Sequence, residues 1–74
     1  MTKEADTNLL KLGARIRRLR MSRALSQEEL ADRAHLHRNY IGGIERGERN
    51  VGVKALLALS VALDVAPAHL FIDS

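Results

Sequence analysis

Apolar residues recur at helical spacing in the first part of this chain. Four of them are separated by three, four and three positions: Leu9, Leu12, Ile16 and Leu19. This periodicity predicts an amphipathic helix from about Thr7 to Arg23. The other faces of that helix carry basic residues with no acid between them: Lys11, Arg15, Arg17, Arg18, Arg20 and Arg23.

The segment "LSQEEL" predicts the start of a second helix. Ser26 is a candidate N-cap, and Glu29 follows three residues later, which is the pattern of a capping box. The inward face of this helix holds Leu30, Ala31 and Ala34, and the pattern ends near Ala34. Only "HLH" separates it from the next helical pattern, so the two helices are joined by a turn of three or four residues.

A third helix is predicted within "HRNYIGGIERG", with Gly47 as the left-handed residue after its last turn. Its inward face holds Leu36, Tyr40, Ile41 and Ile44. The residues left to point outward are Arg38, Asn39, Gly42, Gly43 and Arg46. A glycine inside a helix costs about 1 kcal/mol relative to alanine, so two adjacent ones in this segment need an explanation.

The fourth helical pattern, from about Val53 to Leu63, is apolar nearly all round. We expect its inward face to hold Val53, Leu56, Leu59 and Leu63. "DVAPAHLF" then predicts a short fifth helix with Pro67 at its first position. The chain is therefore expected to form one all-α domain, a compact bundle of five helices over residues 1–74.

More apolar residues lie in and after the fourth helix than so small a core can cover. The set left over is Leu57, Ala58, Val61, Val65, Phe71 and Ile72. We expect these residues to form the two-fold interface of a homodimer. The alternative is that they only roof the core.

Composition narrows the class of protein. Hydrophobic residues make up 46% of the chain and aromatic residues 3%, which favours a helical protein with an aliphatic core. The chain has no cysteine, no apolar run long enough to cross a bilayer, and a polar, acidic N-terminal segment. These features predict a soluble cytoplasmic protein with no membrane partner.

Positive charge is concentrated in the middle of the chain. Residues 11–50 contain ten Lys or Arg against five Asp or Glu, and nine of the ten are arginine. Arginine suits phosphate and guanine edges better than lysine does, so this segment favours a nucleic-acid partner. The alternative is a solvated basic surface.

Four landmarks occur in a fixed order: "SQEELA", "L.R.YI..IERG", "ERN" and "LALSVALDVAP.HLF". Over roughly residues 9–71 the chain resembles the lambda repressor and Cro-like (XRE-type) helix-turn-helix family. Within that family it is most similar to the controller proteins of restriction-modification systems. The resemblance implies a lambda-repressor-like domain whose second and third helices form the helix-turn-helix and bind double-stranded DNA.

Arg38 and Asn39 are the first choice of base readers. Arginine can pair bidentately with guanine and asparagine with adenine, and both residues lie at the start of the third helix, where recognition helices touch base edges. The resemblance implies that Gln27 binds a phosphate and that Arg49 touches DNA. The complete expected DNA-binding set is Ser26, Gln27, His37, Arg38, Asn39, Tyr40, Gly42, Gly43, Arg46, Arg49 and Asn50.

The resemblance also implies an ion pair between Arg20 and Glu45 that ties the first helix to the third. The alternative is two separately solvated charges.

For Gly42 and Gly43, two interpretations stay open. Their bare backbone lets the helix approach the floor of the groove, or they are tolerated because the opposite face holds the helix.

No residue set predicts a metal site, a cofactor or an enzyme. His35 and His37 are two positions apart in a turn, His69 is distant, and no cysteine is present, which falls short of a ligand set. In the family, glycine is common at position 35 in a left-handed conformation, and position 37 is the N-cap of the third helix. The serines have no evident base, so no catalytic residues are expected.

These observations lead to two functional hypotheses. The first is a homodimeric, sequence-specific transcriptional regulator of bacterial or phage origin that reads a pseudo-palindromic operator. RNA polymerase is a further candidate partner, through Glu28, Glu29 and Asp32. The alternative is a protein-interaction module of the same fold, such as an antitoxin.

Overall fold

The computed structural model describes residues 6–71, in which the α-helices are α1 (Thr7–Ser22), α2 (Gln27–Ala34), α3 (Arg38–Glu45) and α4 (Val53–Ala62). A 3-10 helix, Pro67–Leu70, follows them. The all-α class is confirmed, but the expectation of five α-helices is wrong, since this last element is a single 3-10 helix of four residues. Four residues are too few to sustain α-helical hydrogen bonding, and Pro67 contributes no N–H.

Local side-chain chemistry sets where the helices begin. Asp6 caps α1 by accepting a hydrogen bond from the backbone N–H of Asn8 at 2.9 Å. The predicted capping box of α2 is confirmed: Ser26 Oγ accepts from the Glu29 N–H at 3.0 Å, and Glu29 Oε1 accepts from the Ser26 N–H at 2.9 Å. The hydrogen bond from the Ser26 backbone lowers the pKa of the Glu29 carboxyl.

Left-handed residues end α2 and α3. His35 closes α2 with φ 58°, a conformation that histidine tolerates better than most residues. Gly47 follows α3 with φ 74°, as predicted. The Gly47 N–H donates to the Ile44 carbonyl at 3.0 Å and the Glu48 N–H to the Gly43 carbonyl at 2.9 Å. This pair of bonds is a Schellman motif, and it fixes the path of the chain as it leaves α3.

All four α-helices contribute to one aliphatic core, although the first residue of α4 does not. Its buried residues are Leu12, Ile16, Leu25, Leu30, Ala31, Ala34, Ile41, Ile44, Leu59, Leu63 and Leu70. The inward assignment of Val53 is wrong, since 72% of this residue is exposed. Val53 is the first residue of α4, and helical side chains lie over the preceding turn, which here is absent.

Helix α1 packs closely against the C-terminal end of α3 at Gly13. A β-carbon at position 13 would lie 2.8 Å from the carbonyl oxygen of Glu45 and closer still to that of Ile44. Glycine is therefore required here by space, because the obstructing atoms belong to the backbone. The contact sets the distance between α1 and α3.

Candidate nucleic-acid interface

The exposed side of α3 forms a shallow polar surface together with the start of α2 and the loop after α3. We call it the α3 surface, and it is lined by Gln27, Arg38, Asn39, Gly42, Arg46, Glu48 and Arg49. Three arginines and one glutamate give it a positive charge. Of the side chains expected to bind DNA, it brings together those of Gln27, Arg38, Asn39, Arg46 and Arg49.

Arg38 and Asn39 are the first two residues of α3, and both are exposed. Within residues 6–71 neither side chain makes a hydrogen bond to another protein group. The preceding N-cap, His37, provides no side-chain hydrogen bond to the helix start. The open N–H groups and the partial positive charge of the helix start favour an anionic or acceptor-rich ligand. Base reading by Arg38 and Asn39 stays a prediction.

A two-point ion pair joins α1 to α3. Arg20 Nε donates to Glu45 Oε2 at 2.7 Å, and Arg20 Nη2 donates to Glu45 Oε1 at 3.0 Å. The side chains are 12% and 3% exposed, respectively. The hydrogen bond to Glu45 raises the pKa of Arg20. Arg20 Nη1 also donates to the Leu25 carbonyl at 2.8 Å, which extends the tie to the chain before α2.

Gln27 joins this network from α2. Its Nε2 donates to Glu45 Oε1 at 3.1 Å, so one buried carboxylate holds side chains from both neighbouring helices. The second N–H of the same amide has no partner within residues 6–71. The sequence does not indicate the Gln27–Glu45 contact, because no local spacing relates two residues 18 positions apart.

The glycine pair of α3 is not bare. Gly42 and Gly43 are both buried, so neither presents bare backbone to solvent. A β-carbon at position 42 would lie 3.1 Å from Arg46 Nη1, and one at position 43 would lie 2.7 Å from Arg49 Cγ. The side chains of these two arginines cover the glycines.

The remaining expected DNA contacts occupy different environments. Ser26 and Asn50 are exposed, although Ser26 is engaged in the capping box. Tyr40 is half-buried and packs against the core. Arg46 Nε forms an exposed ion pair with Glu48 Oε1 at 3.1 Å, a kind of contact worth under about 1 kcal/mol. This pair can open at little cost when another anion is present.

The expected dimer residues divide by exposure. Leu57, Val61 and Phe71 are 48%, 79% and 64% exposed. Ala58 and Val65 are half-buried against the core, and Ile72 lies outside the described residues. Together with Val53, the three exposed side chains form an apolar face on α4 and the segment after it, and nothing within residues 6–71 covers this face.

Within residues 6–71, no group of three or more His, Cys, Asp and Glu side chains could hold a metal ion. In the same range, no helix combines the length and the apolar character needed to cross a bilayer.

The model of the helix-turn-helix family matches residues 16–70, and the chain belongs to this family. The resemblance found in the sequence motifs is thereby confirmed. The relatives include Control protein C.BamHI of Bacillus amyloliquefaciens, 45% identical over 67 residues that cover 86% of this chain and 83% of that protein.

Two solved structures extend the comparison. The restriction-modification controller protein C.AhdI from Aeromonas hydrophila is 48% identical and superposes with a TM-score of 0.88, covering 89% of this chain and 100% of its own. The controller protein C.Esp1396I, crystallised as a tetramer with its natural 35 base-pair operator, is 35% identical with a TM-score of 0.82, covering 89% of this chain and 87% of its own.

Proposed function

We propose that this protein is a sequence-specific DNA-binding transcriptional regulator, of the kind that controls a restriction-modification system. The observation that carries the proposal is the α3 surface, where Arg38 and Asn39 are exposed at the start of a helix whose orientation Glu45 fixes. Similarity to control and controller proteins, one of them solved on its operator, supports it.

In this proposal the first turn of α3 enters the major groove and reads bases. Arg38 pairs with guanine and Asn39 with adenine, and each bidentate contact discriminates against a wrong base by about 1–3 kcal/mol. Because neither side chain has an internal partner, neither has to break a protein hydrogen bond to reach a base edge.

Phosphate contacts flank the base readers. Gln27 lies at the N-terminal end of α2, where free N–H groups suit a phosphate, and its second amide N–H is available once Glu45 has taken the first. Arg46, Arg49 and Asn50 lie at the other end of α3. These contacts fix the register on the duplex without reading sequence, and they make affinity depend steeply on salt.

Two copies of the chain pair through α4 in this proposal. Leu57, Val61 and Phe71 form the exposed centre of the interface, with Ala58 and Val65 beside them. A two-fold dimer places its α3 helices on half-sites about one helical turn apart, so the operator is a pseudo-palindrome.

Contact with RNA polymerase is a further part of the proposal, through the exposed Glu28 and Asp32 of α2.

The experiment that tests the function is selection of bound fragments from random duplex DNA with the unmodified protein. We expect one enriched pseudo-palindrome, with half-site centres about 10 base pairs apart. Enrichment without a shared sequence would contradict specific recognition. Stoichiometric capture of a single protein in high salt without DNA would favour the interaction-module alternative.

A further inference from the structure

Two arginines from the C-terminal side of α3 lie back across the helix, each over one glycine. The two contacts differ in kind. At position 42 the nearest obstacle to a β-carbon is Arg46 Nη1, the free end of a flexible side chain, at 3.1 Å. At position 43 the obstacles are Arg49 Cγ at 2.7 Å and Arg49 Nε at 3.2 Å.

The Arg49 contact cannot be relieved by a movement of the guanidinium alone. Cγ is the second carbon of the side chain, and the backbone before Arg49 is held by the bond from the Glu48 N–H to the Gly43 carbonyl. A side chain at position 43 therefore has to drive Arg49 into another rotamer, off the surface of α3. The same glycine both accepts the bond that fixes the loop and leaves the space for the arginine that follows it.

We propose that Gly43 is a positioning residue for DNA binding: it leaves the space in which Arg49 lies across α3 and presents its guanidinium to a phosphate of the duplex. The loop thus provides a charged group over a helix position that has no side chain of its own. The inference rests on the proposed function, and it replaces the idea that bare backbone at Gly43 approaches the groove.

A phosphate is the ligand this geometry favours over a base edge. Base readers lie at the N-terminal end of a recognition helix, whereas Arg49 lies over its C-terminal half and comes from the following loop. Glu48, the one acidic residue on the α3 surface, is paired with Arg46, so it leaves the guanidinium of Arg49 to a phosphate. A guanidinium held in this way loses less freedom on binding an anion than one that extends from a loop into solvent.

The test is a double-mutant cycle between Gly43→Ala and Arg49→Ala, with affinity measured on the duplex recovered by selection from random DNA. We expect each single variant to bind about tenfold more weakly, the loss of one charge-assisted hydrogen bond. Each should also make the fall of log affinity with log salt less steep, by about 0.9 in slope for every phosphate that is no longer neutralised. The double variant should be no weaker than Arg49→Ala alone, because Gly43 acts only through Arg49.

Gly52→Ala is the matched control, because a β-carbon at position 52 meets no atom within 4 Å. It should retain the affinity and the salt slope of the unmodified protein. Unchanged binding by Gly43→Ala, or losses that multiply in the double variant, would overturn the positioning role.

A measurement without DNA separates this inference from the proposed function. NMR relaxation of the Arg49 Nε–Hε group should show restricted motion in the unmodified protein and in Gly52→Ala, and freer motion in Gly43→Ala. Equal motion in all three would overturn the proposal even if the protein binds its operator. Restricted motion in a protein that selects no duplex would instead contradict the proposed function.

Discussion

At the scale of single residues, the side chains at the α3 surface and directly beneath it divide into two kinds. Gln27 and Glu45 are tied into a hydrogen-bonded network, whereas Arg38 and Asn39 are exposed and have no protein partner within residues 6–71. A tied residue fixes geometry, and an unpartnered one is available to a ligand. Substitutions of the two kinds should therefore change DNA binding differently.

Arg38→Ala should relax sequence preference, costing about 1–3 kcal/mol at one base position of the preferred site and little on other sequences. Gln27→Ala should weaken binding to all sequences alike, because a phosphate contact carries no sequence information. Binding to the selected duplex and to single-base variants of it measures both effects. A uniform loss from Arg38→Ala would show that the base readers are assigned wrongly.

The structural role of a residue can be predicted from sequence when the residues it contacts are close to it in the chain. The capping box of Ser26 and Glu29 and the left-handed Gly47 follow from neighbours within a few positions, and the sequence predicts both. The left-handed conformation at His35 is instead what the resemblance to the family implies. The placement of Arg49 over Gly43 depends on how the loop folds back over α3. No periodicity in the sequence encodes that contact.

At the scale of elements, two unlike contacts hold α3 against α1. The close approach at Gly13 sets the distance between α1 and α3, and the ion pair of Arg20 with Glu45 sets their orientation. The resemblance to the family implies the ion pair. The sequence does not single out Gly13, because a glycine required by the backbone of another helix looks the same as one that is merely tolerated.

Glycine-to-alanine substitutions should have opposite effects at Gly13 of α1 and at Gly42 of α3. Gly13→Ala should destabilise the protein by about 1–3 kcal/mol, since a β-carbon would collide with the backbone of α3. Gly42→Ala should stabilise it by up to about 1 kcal/mol, because the helix gains propensity and the flexible end of Arg46 can move aside. Urea unfolding of both variants measures the two changes, and stabilisation by Gly13→Ala would contradict the close packing of α1 on α3.

Removal of one ion-pair partner should cost more than removal of both. Glu45→Ala leaves Arg20 desolvated and Gln27 without its acceptor, and we expect a loss of about 3 kcal/mol in the free energy of unfolding. Combining Arg20→Met with Glu45→Leu should cost less, because no buried charge remains unpaired. Equal losses in the two proteins would indicate that Arg20 remains solvated without its partner.

At the scale of the whole molecule, the apolar residues of α4 are divided between the core and an exposed face. The low polarity of α4 indicates from sequence that more apolar surface is present than one small core can bury. The periodicity does not assign every residue correctly, as the exposed Val53 shows, because a helix that is apolar nearly all round has no distinct inward face. The other assignments in α4 are confirmed where they matter most: Leu59 and Leu63 lie in the core, as expected, and the left-over Leu57 and Val61 are exposed.

Val61→Glu should dissociate the proposed dimer without unfolding the monomer, because Val61 is 79% exposed and a charge there would be buried only between subunits. Sedimentation equilibrium should show a shift to monomer, and affinity for the pseudo-palindrome should fall toward that of a half-site. Met21→Glu is the control, since Met21 is 57% exposed but lies on α1. An unchanged mass for Val61→Glu would exclude this face as the interface.

The isolation of Arg38 and Asn39 from the hydrogen bonds of the fold also bears on how such regulators diverge. A duplicated copy of the gene could change these two residues without first acquiring compensating substitutions, because neither side chain takes part in holding the helices together. Under the proposed base reading by Arg38 and Asn39, the protein made from that copy would keep the same helix arrangement while acquiring a different target. Two regulators that act on separate promoters in one cell could thus arise from a few mutations at the start of one helix.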